Sequence, residues 1–288
     1  MTLRRLLPLA VAASLWLAAL APPAPAQEPA RPQASGVTIP NYWDPRRRPE
    51  RPNLGGLRTL RFLTESDYPP FNFVSADGAL VGFNVELARA ICVELNLSCT
   101  IQPRSWETLI PALKAKEGDA VIAGMAITKD ARRDVEFSDR YLQNPARFAT
   151  RTDNPVDPSA DLLAGKRVAV VRGTAHEAFL REQFKSAVVA PFADLDEARR
   201  ALKGGQVDAL LADGVNLSVW LNGEDAAGCC RFVGGPYTES FYFGEGIAIA
   251  IRKDDTTLRL ALDYALARLY ERGVYAELYL RYFPIGFF

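Results

Sequence analysis

The chain has 288 residues, 49% of them hydrophobic and 24% charged, with 34 basic side chains against 34 acidic ones. That balance excludes the strong electrostatic pull toward nucleic acid or an anionic surface that a basic protein carries. One His and four Cys, in no metal-ligand spacing, give little support to a metal centre or a Ser-His-Asp triad.

The N-terminus reads as a processing signal. Arg4 and Arg5 precede an apolar run from Leu6 to Leu20, and Ala24-Pro25-Ala26 offers the small residues a signal peptidase reads, so residues 1–26 are expected to be removed on export. No Cys lies near that point to carry a lipid, and no later segment has the roughly 18 uninterrupted apolar residues of a membrane span. An exported chain with four Cys is a place for disulfides. Cys92 and Cys99 are near enough to staple a helix to the strand after it, at about 2–3 kcal/mol for so short a loop. For the adjacent Cys229 and Cys230, reduced thiols, a strained bridge and an intermolecular bond are all open readings.

Residues 27–57 are rich in Pro and Arg and read as an extended lead-in, with Tyr42 and Trp43 as the aromatics able to dock it. Then the pattern becomes regular. Leu60 to Thr64 reads as a strand, Tyr68-Pro69-Pro70-Phe71 as an aromatic turn and Ala76-Asp77-Gly78 as a hairpin-like turn. A helix capped by Asn84 is expected to run to about Leu95, burying Val85, Ala88, Ile91, Cys92 and Leu95. A strand near Thr100 to Pro103, a helix from Trp106 to about Lys116 and a strand from Val121 to Met125 follow, and the alternation means an α/β sheet. After that strand, Thr128 is a fair N-cap for a helix starting at Lys129, with Arg132 and Arg133 in its first turns.

The same sentence then appears twice. Helix, Lys, Gly and a buried strand beginning Asp-Ala occur at Leu109 to Ala123 and again at Ala198 to Ala212. Gly165 to Val171 repeats the opening strand and Gly173-Thr174 turns into the next helix, so two α/β lobes are expected. Ligands of such sheets bind outside the carboxyl ends of the strands. Two facing lobes would make a cleft from Glu65 to Phe71 and Gly124 to Arg132 on one side, and Arg172 to His176 and Asp213 to Asn216 on the other.

At this point the residues resemble a known family. Tyr68-Pro69-Pro70-Phe71, Gly78-x-Leu-Val-Gly-Phe83-Asn84, Trp106 to Leu113, Asp119 to Thr128, Phe137-Ser-Asp139, Gly165-Lys-Arg-Val168, Gly173-Thr174, Asp208-Ala209 and Asp213 stand in the order and spacing of family 3 periplasmic solute-binding proteins of amino-acid ABC transporters. The Cys92 and Cys99 pair also matches a bridge found in some members. The resemblance implies a two-lobed type II binding-protein fold, each lobe a mixed sheet flanked by helices, with lobe 1 over 58–145 and 245–288, lobe 2 over 146–244 and a hinge between them. It implies a monomer of the periplasm that closes on a small polar ligand, an amino acid or related carboxylate, and delivers it to a permease, without cofactor, metal, nucleic acid or catalysis.

By the same resemblance, Tyr68 is the stacking aromatic, Glu65 an acid that reads the ligand side chain, and Asp213 the acceptor of the ammonium. Gly124, Met125 and Ala126 form one loop of the site, and the Gly173-Thr174 turn supplies N–H donors from the other lobe. Two positions depart from the pattern. The carboxylate-binding Arg falls at Ala131, with Arg132 one residue later, and a one-residue shift rotates a helical side chain by about 100°. Ala126 stands where many members have a hydroxyl, while Arg172 adds a charge before Gly173. Phe71 reads as core and Trp106 as packing at the cleft edge. Two alternatives use the same fold: a periplasmic sensor or assembly partner docking through the lead-in, and an exported dehydratase-like enzyme with Glu65 or Glu177 as its acid.

Overall fold

The computed structural model describes residues 37, 39–44, 46, 49–283 and 286–287. The expected signal segment, 1–26, and the first part of the lead-in lie outside these residues. No helix among the described residues is long and apolar enough to cross a membrane.

Two five-stranded sheets carry the fold. The first half supplies strands β1 (Thr59–Thr64), β2 (Asp67–Tyr68), β3 (Asn72–Val74) and β4 (Leu80–Val81), helix α1 (Phe83–Leu95), strand β5 (Ser98–Pro103), helix α2 (Trp106–Lys114), strand β6 (Ala120–Val121), the single turn α3 (Ala131–Asp134) and strand β7 (Glu136–Phe137). The second sheet comes from β8 (Ala146–Arg151), β9 (Arg167–Val171), α4 (Ala175–Gln183), β10 (Val188–Phe192), α5 (Leu195–Lys203), β11 (Ala209–Asp213), α6 (Gly214–Asn222) and β12 (Cys230–Tyr237), followed by the turn α7 (Ser240–Phe243). The chain then returns through β13 (Ala250–Ile251), α8 (Thr256–Glu271) and α9 (Val274–Tyr282) to the first sheet.

The internal echo is structural as well as textual. Sheet one runs β5-β1-β6-β13-β7 and sheet two β10-β9-β11-β8-β12, so each has three parallel strands in the order second, first, third, then one strand antiparallel to them and an edge strand antiparallel to that one. Both faces of each sheet are covered, which is why the strands read as apolar runs instead of alternating with polar residues. Leu60, Phe62, Ile122 and Ile249 face one core, while Leu63, Val121, Ala123 and Ala250 face another. In sheet two Val168, Val170 and Leu211 separate in the same way from Ala169, Leu210 and Ala212.

Helix α1 buries Val85, Ala88, Ile91, Cys92 and Leu95, and also Phe83 and Leu87. Each large apolar side chain fully removed from water stabilises the fold by about 2 kcal/mol before entropic costs. Its N-cap is Gly82, not Asn84. Gly82 holds φ 126°, and a Cβ there would stand 2.3 Å from the Phe71 carbonyl oxygen, so the helix starts hard against the aromatic turn and only Gly fits. Asn84 is instead consumed in the core: its Nδ2 donates to Asn72 Oδ1 at 2.7 Å and its Oδ1 accepts from Tyr141 Oη at 2.8 Å.

The strand expected over Val121 to Met125 stays in the ladder only at Ala120–Val121, because Gly124 at φ 77° turns the backbone away. The helix expected from Lys129 is also shorter. It is the single turn Ala131–Asp134 with Asp130 at its N-cap, and Thr128 Oγ1 accepts the Ala131 N–H at 3.1 Å. So short a turn has little macrodipole, which removes the anion-binding helix terminus expected there.

Two crossings join the sheets, and they hydrogen-bond to each other. Ile247 N donates to the Leu142 carbonyl at 2.7 Å and Tyr141 N to the Ile247 carbonyl at 2.9 Å. The lead-in lies along the first half: Val37, Ile39 and Leu54 pack on its core, and Tyr270 Oη donates to the Pro40 carbonyl at 3.1 Å. Tyr42 docks as its sequence suggested, with its Oη accepting the Gln143 N–H at 2.9 Å and its ring beneath the Arg140 guanidinium. Phe283 and Phe287 of the C-terminal tail are fully buried in the same core. Disulfides join Cys92 to Cys99, across α1 and β5, and Cys229 to Cys230.

Candidate functional site

Tyr68 ends β2, directly before the Pro pair that fixes the turn, and its ring stacks on buried Phe71 at 4.9 Å. Across from it runs the loop after β6. A Cβ on Gly124 would come within 3.1 Å of Tyr68 Cε1, so the absence of a side chain at Gly124 leaves room for that ring. Burial pushes the Tyr68 phenol well above its ordinary range, and the carboxylates of Asp213 and Glu65 push it further. Tyr68 therefore stands in the field of one acid from each half of the molecule.

Glu65 follows β1 and is half-buried. It shares a depression of about 450 Å³ with Asp67, Trp106 and Glu107. Its carboxyl is held above the usual range, first by burial and then by Asp67 and Glu107. Trp106, at 46% exposure, opens α2 at the edge of this depression. Arg104 lines it too, paired with Glu117 at 3.1 Å, so three carboxylates, one guanidinium and an exposed indole meet there.

Asp213 closes β11 and caps α6, its Oδ1 accepting the Asn216 N–H at 2.8 Å. Asn144, in the first crossing, donates its amide to Asp213 Oδ2 and accepts the Val215 N–H at 3.3 Å. Burial lifts the Asp213 carboxyl to about 6, against the opposing pull of those hydrogen bonds and of Arg199. An ionised Asp213 thus has the most to gain from a cation placed against it.

Several of the other expected site residues have partners within the molecule. Buried Tyr141, whose hydroxyl donates to Asn84 Oδ1 at 2.8 Å, lies near Gly124. Met125 is buried in the core and Ala126 bridges to Ile247 on the returning chain. Arg132 pairs with Glu245 at 3.2 Å and Glu136 at 3.4 Å, its guanidinium over the Phe137 ring. The Gly173 N–H donates to Glu177 Oε2 at 2.7 Å, and Thr174 Oγ1 donates to the Val171 carbonyl at 2.7 Å. Thr174 and Glu177 form a capping arrangement on α4, which Arg181 completes by pairing with Glu177 at 2.6 Å. Arg172 is exposed at the end of β9, close enough to Glu177 to help lower its carboxyl. His176 is kept neutral by burial, which pushes its imidazole down to about 4, and its ring lies 5.2 Å from Phe243.

Sequence reasoning missed Asn144 and Glu107. Asn144 precedes Pro145 and reads as an ordinary turn, and Glu107 reads as a first-turn helix acid; only the fold brings them to Asp213 and Glu65.

Residues 60–285 match the sequence profile of the bacterial extracellular solute-binding proteins, family 3. The chain belongs to this family. It is 35% identical over 235 residues to the L-arginine-binding protein of Pseudomonas aeruginosa, covering 81% of this chain and 90% of that one. It is 33% identical over 230 residues to the lysine/arginine/ornithine-binding periplasmic protein of Escherichia coli, covering 79% and 88%. Among solved structures, an ancestral cationic amino acid solute-binding protein superposes with a TM-score of 0.65 at 29% identity, over 78% of this chain and 95% of that one. The family's two-lobed fold, with one mixed sheet in each lobe, is the architecture described above.

Proposed function

We propose that this family 3 member is the exported receptor of an ABC transporter and closes its lobes on a small cationic solute. The observation that carries the reading is Tyr68, stacked on Phe71 and passing close over Gly124, with Glu65 and Asp213 both raising its phenol through their charge. A cation stacked on Tyr68 gains ring attraction and loses little on desolvation, because carboxylates replace its water. The relatives named for arginine, lysine and ornithine are consistent with this charge. We place lobe 1 at 58–145 and 245–288 and lobe 2 at 146–244, with the paired crossings at Leu142 and Ile247 as the hinge. Release to the periplasm after removal of residues 1–26, action as a monomer and delivery to an inner-membrane permease belong to the same proposal.

Thermal-shift and calorimetric titration with arginine, lysine, ornithine, histidine and their amines, against neutral and acidic amino acids, test it. Stabilisation by cationic solutes alone, lost in Tyr68→Ala, is expected. Binding confined to neutral or acidic solutes overturns it. Conversion of a bound solute to product would instead support an enzyme on this fold.

A further inference from the structure

We propose that the lead-in is a hinge strap: Tyr42 holds the first crossing down on lobe 1 and so confines the bend of lobe closure to the link between Gln143 and Asn144. The inference rests on the lobe closure proposed above and deepens it by naming what sets the range over which the lobes open. The lead-in lies ahead of residues 60–285, so the strap stands outside the part of the chain that matches the family profile.

The strap is fastened to lobe 1 along its length. Val37, Ile39 and Leu54 pack on the core beneath α1 and α8. Tyr270 Oη donates to the Pro40 carbonyl at 3.1 Å, and Arg51 Nη2 to the Leu95 carbonyl at 2.8 Å. From this anchored segment Tyr42 reaches the first crossing, where its Oη accepts the Gln143 N–H at 2.9 Å and its ring lies 5.5 Å from the Arg140 guanidinium. Tyr275 of α9 holds the stretch between, its Oη donating to the Tyr141 carbonyl at 2.6 Å. The crossing is thereby tied to lobe 1 as far as Gln143.

One residue later the partners change lobe. Asn144 donates its amide to Asp213 Oδ2 and accepts the Val215 N–H at 3.3 Å, and the Pro145 carbonyl accepts the Gly214 N–H at 2.8 Å. Asp213, Gly214 and Val215 all belong to lobe 2. The second crossing divides as sharply. Ahead of it Tyr242 Oη donates to Glu182, and the Phe243 ring lies 5.2 Å from both Phe179 and His176, all in lobe 2. Beyond it Glu245 donates its N–H to the Ile127 carbonyl at 3.1 Å and pairs with Arg132 at 3.2 Å, both in lobe 1. Gly244 stands between at φ 75°, a backbone setting that suits glycine. Hinges turn on a few residues that absorb the change in φ and ψ, and each crossing has one such place. Without the Tyr42 acceptor the bend spreads back along residues 140–143. The lobes then sample more openings, and a ligand must narrow that range at an entropic cost.

Single-molecule energy transfer on the full mature chain tests the strap, with fluorophores at Leu260→Cys in lobe 1 and Val188→Cys in lobe 2, both exposed positions. Tyr42→Phe is expected to widen the ligand-free distance distribution and to weaken arginine binding about fivefold, the loss of one hydrogen bond. Arg51→Ala cuts a strap contact away from the crossing; it should lower the melting midpoint and leave both readouts as they were. That contrast separates a strap on the hinge from a segment that only adds stability. An unchanged distribution or affinity in Tyr42→Phe, or equal widening in Arg51→Ala, overturns the strap. Failure of arginine to bind the parent chain counts against the cationic-solute reading alone, because the ligand-free distributions still decide the strap. Arginine that binds the parent chain without shifting the distance overturns lobe closure and the strap with it.

Discussion

Asp119 and Asp208 make the same bond in the two lobes: each carboxylate accepts the backbone N–H of an Arg on the neighbouring parallel strand, Arg61 at 3.0 Å and Arg167 at 2.8 Å. In return each Asp N–H donates to that Arg carbonyl at 2.8 Å. The Asp therefore fixes where its strand enters the sheet, which explains the repeated Asp-Ala. The two differ in what the side chains add. Asp119 also takes the Arg61 guanidinium through Nε at 3.0 Å and Nη2 at 2.8 Å, and those bonds hold its carboxyl below the usual range despite burial. Asp119→Ala should accordingly cost about 2–3 kcal/mol and Asp208→Ala about 1 kcal/mol. Urea unfolding of the two variants measures the difference, and equal losses would show that the guanidinium contributes nothing.

Asp213 gives a pH dependence with a definite sign. Its folded carboxyl sits near 6 because of burial, above the 3.8 of a free Asp, so between those values the folded state binds more protons than the unfolded one. Stability contributed by this group is present below 3.8 and is lost as pH rises through 6. Affinity for a cation runs the other way, rising across the same window as Asp213 ionises, with a proton released on binding near pH 6. Titration in buffers of different ionisation heat reads that proton, and Asp213→Asn should abolish it.

Gly124→Ala places a methyl 3.1 Å from Tyr68 Cε1 at a residue with φ 77°. Strain in the left-handed region costs a non-glycine residue about 1 kcal/mol, and the aromatic ring must move as well. The expected outcome is a small loss of stability with a larger loss of ligand affinity. Loss of stability with affinity unchanged would separate the Tyr68 ring from the ligand.

Tyr42→Phe removes the acceptor of the Gln143 N–H, a loss of about 1 kcal/mol. Gln143 precedes Asn144, whose amide holds Asp213, so ligand affinity should fall together with the unfolding midpoint. If affinity is untouched, the lead-in serves stability alone. Deleting residues 27–57 extends the same test, and lost binding to another periplasmic protein with ligand affinity retained would favour the sensor reading.

Much of the fold was legible because its rules are local. Apolar runs at Leu60 and Val168 mark strands covered on both faces, and the Asp-Ala starts are printed in the chain. Asn84 misled for a long-range reason: its cap role was pre-empted by Gly82, pressed against Phe71, and its amide was claimed by Asn72 and Tyr141, which no local spacing announces. In the site, Tyr68, Glu65 and Asp213 were visible as residue types at strand ends. What the sequence could not show is which donors were already taken. Glu177 on the Gly173 N–H depends on a side-chain direction that only the assembled lobe defines.

The insertion of β13 between β6 and β7 also sets an order of assembly. Sheet two draws every strand from the uninterrupted segment 146–237, whereas sheet one stays split until Ala250–Ile251 arrives from downstream. Closing the longer loop costs more chain entropy, and the missing strand is made last. The half of the molecule that begins first is therefore the half that finishes last. Pulse-labelled hydrogen exchange during refolding should protect Val168 to Val170 before Ala120 and Val121.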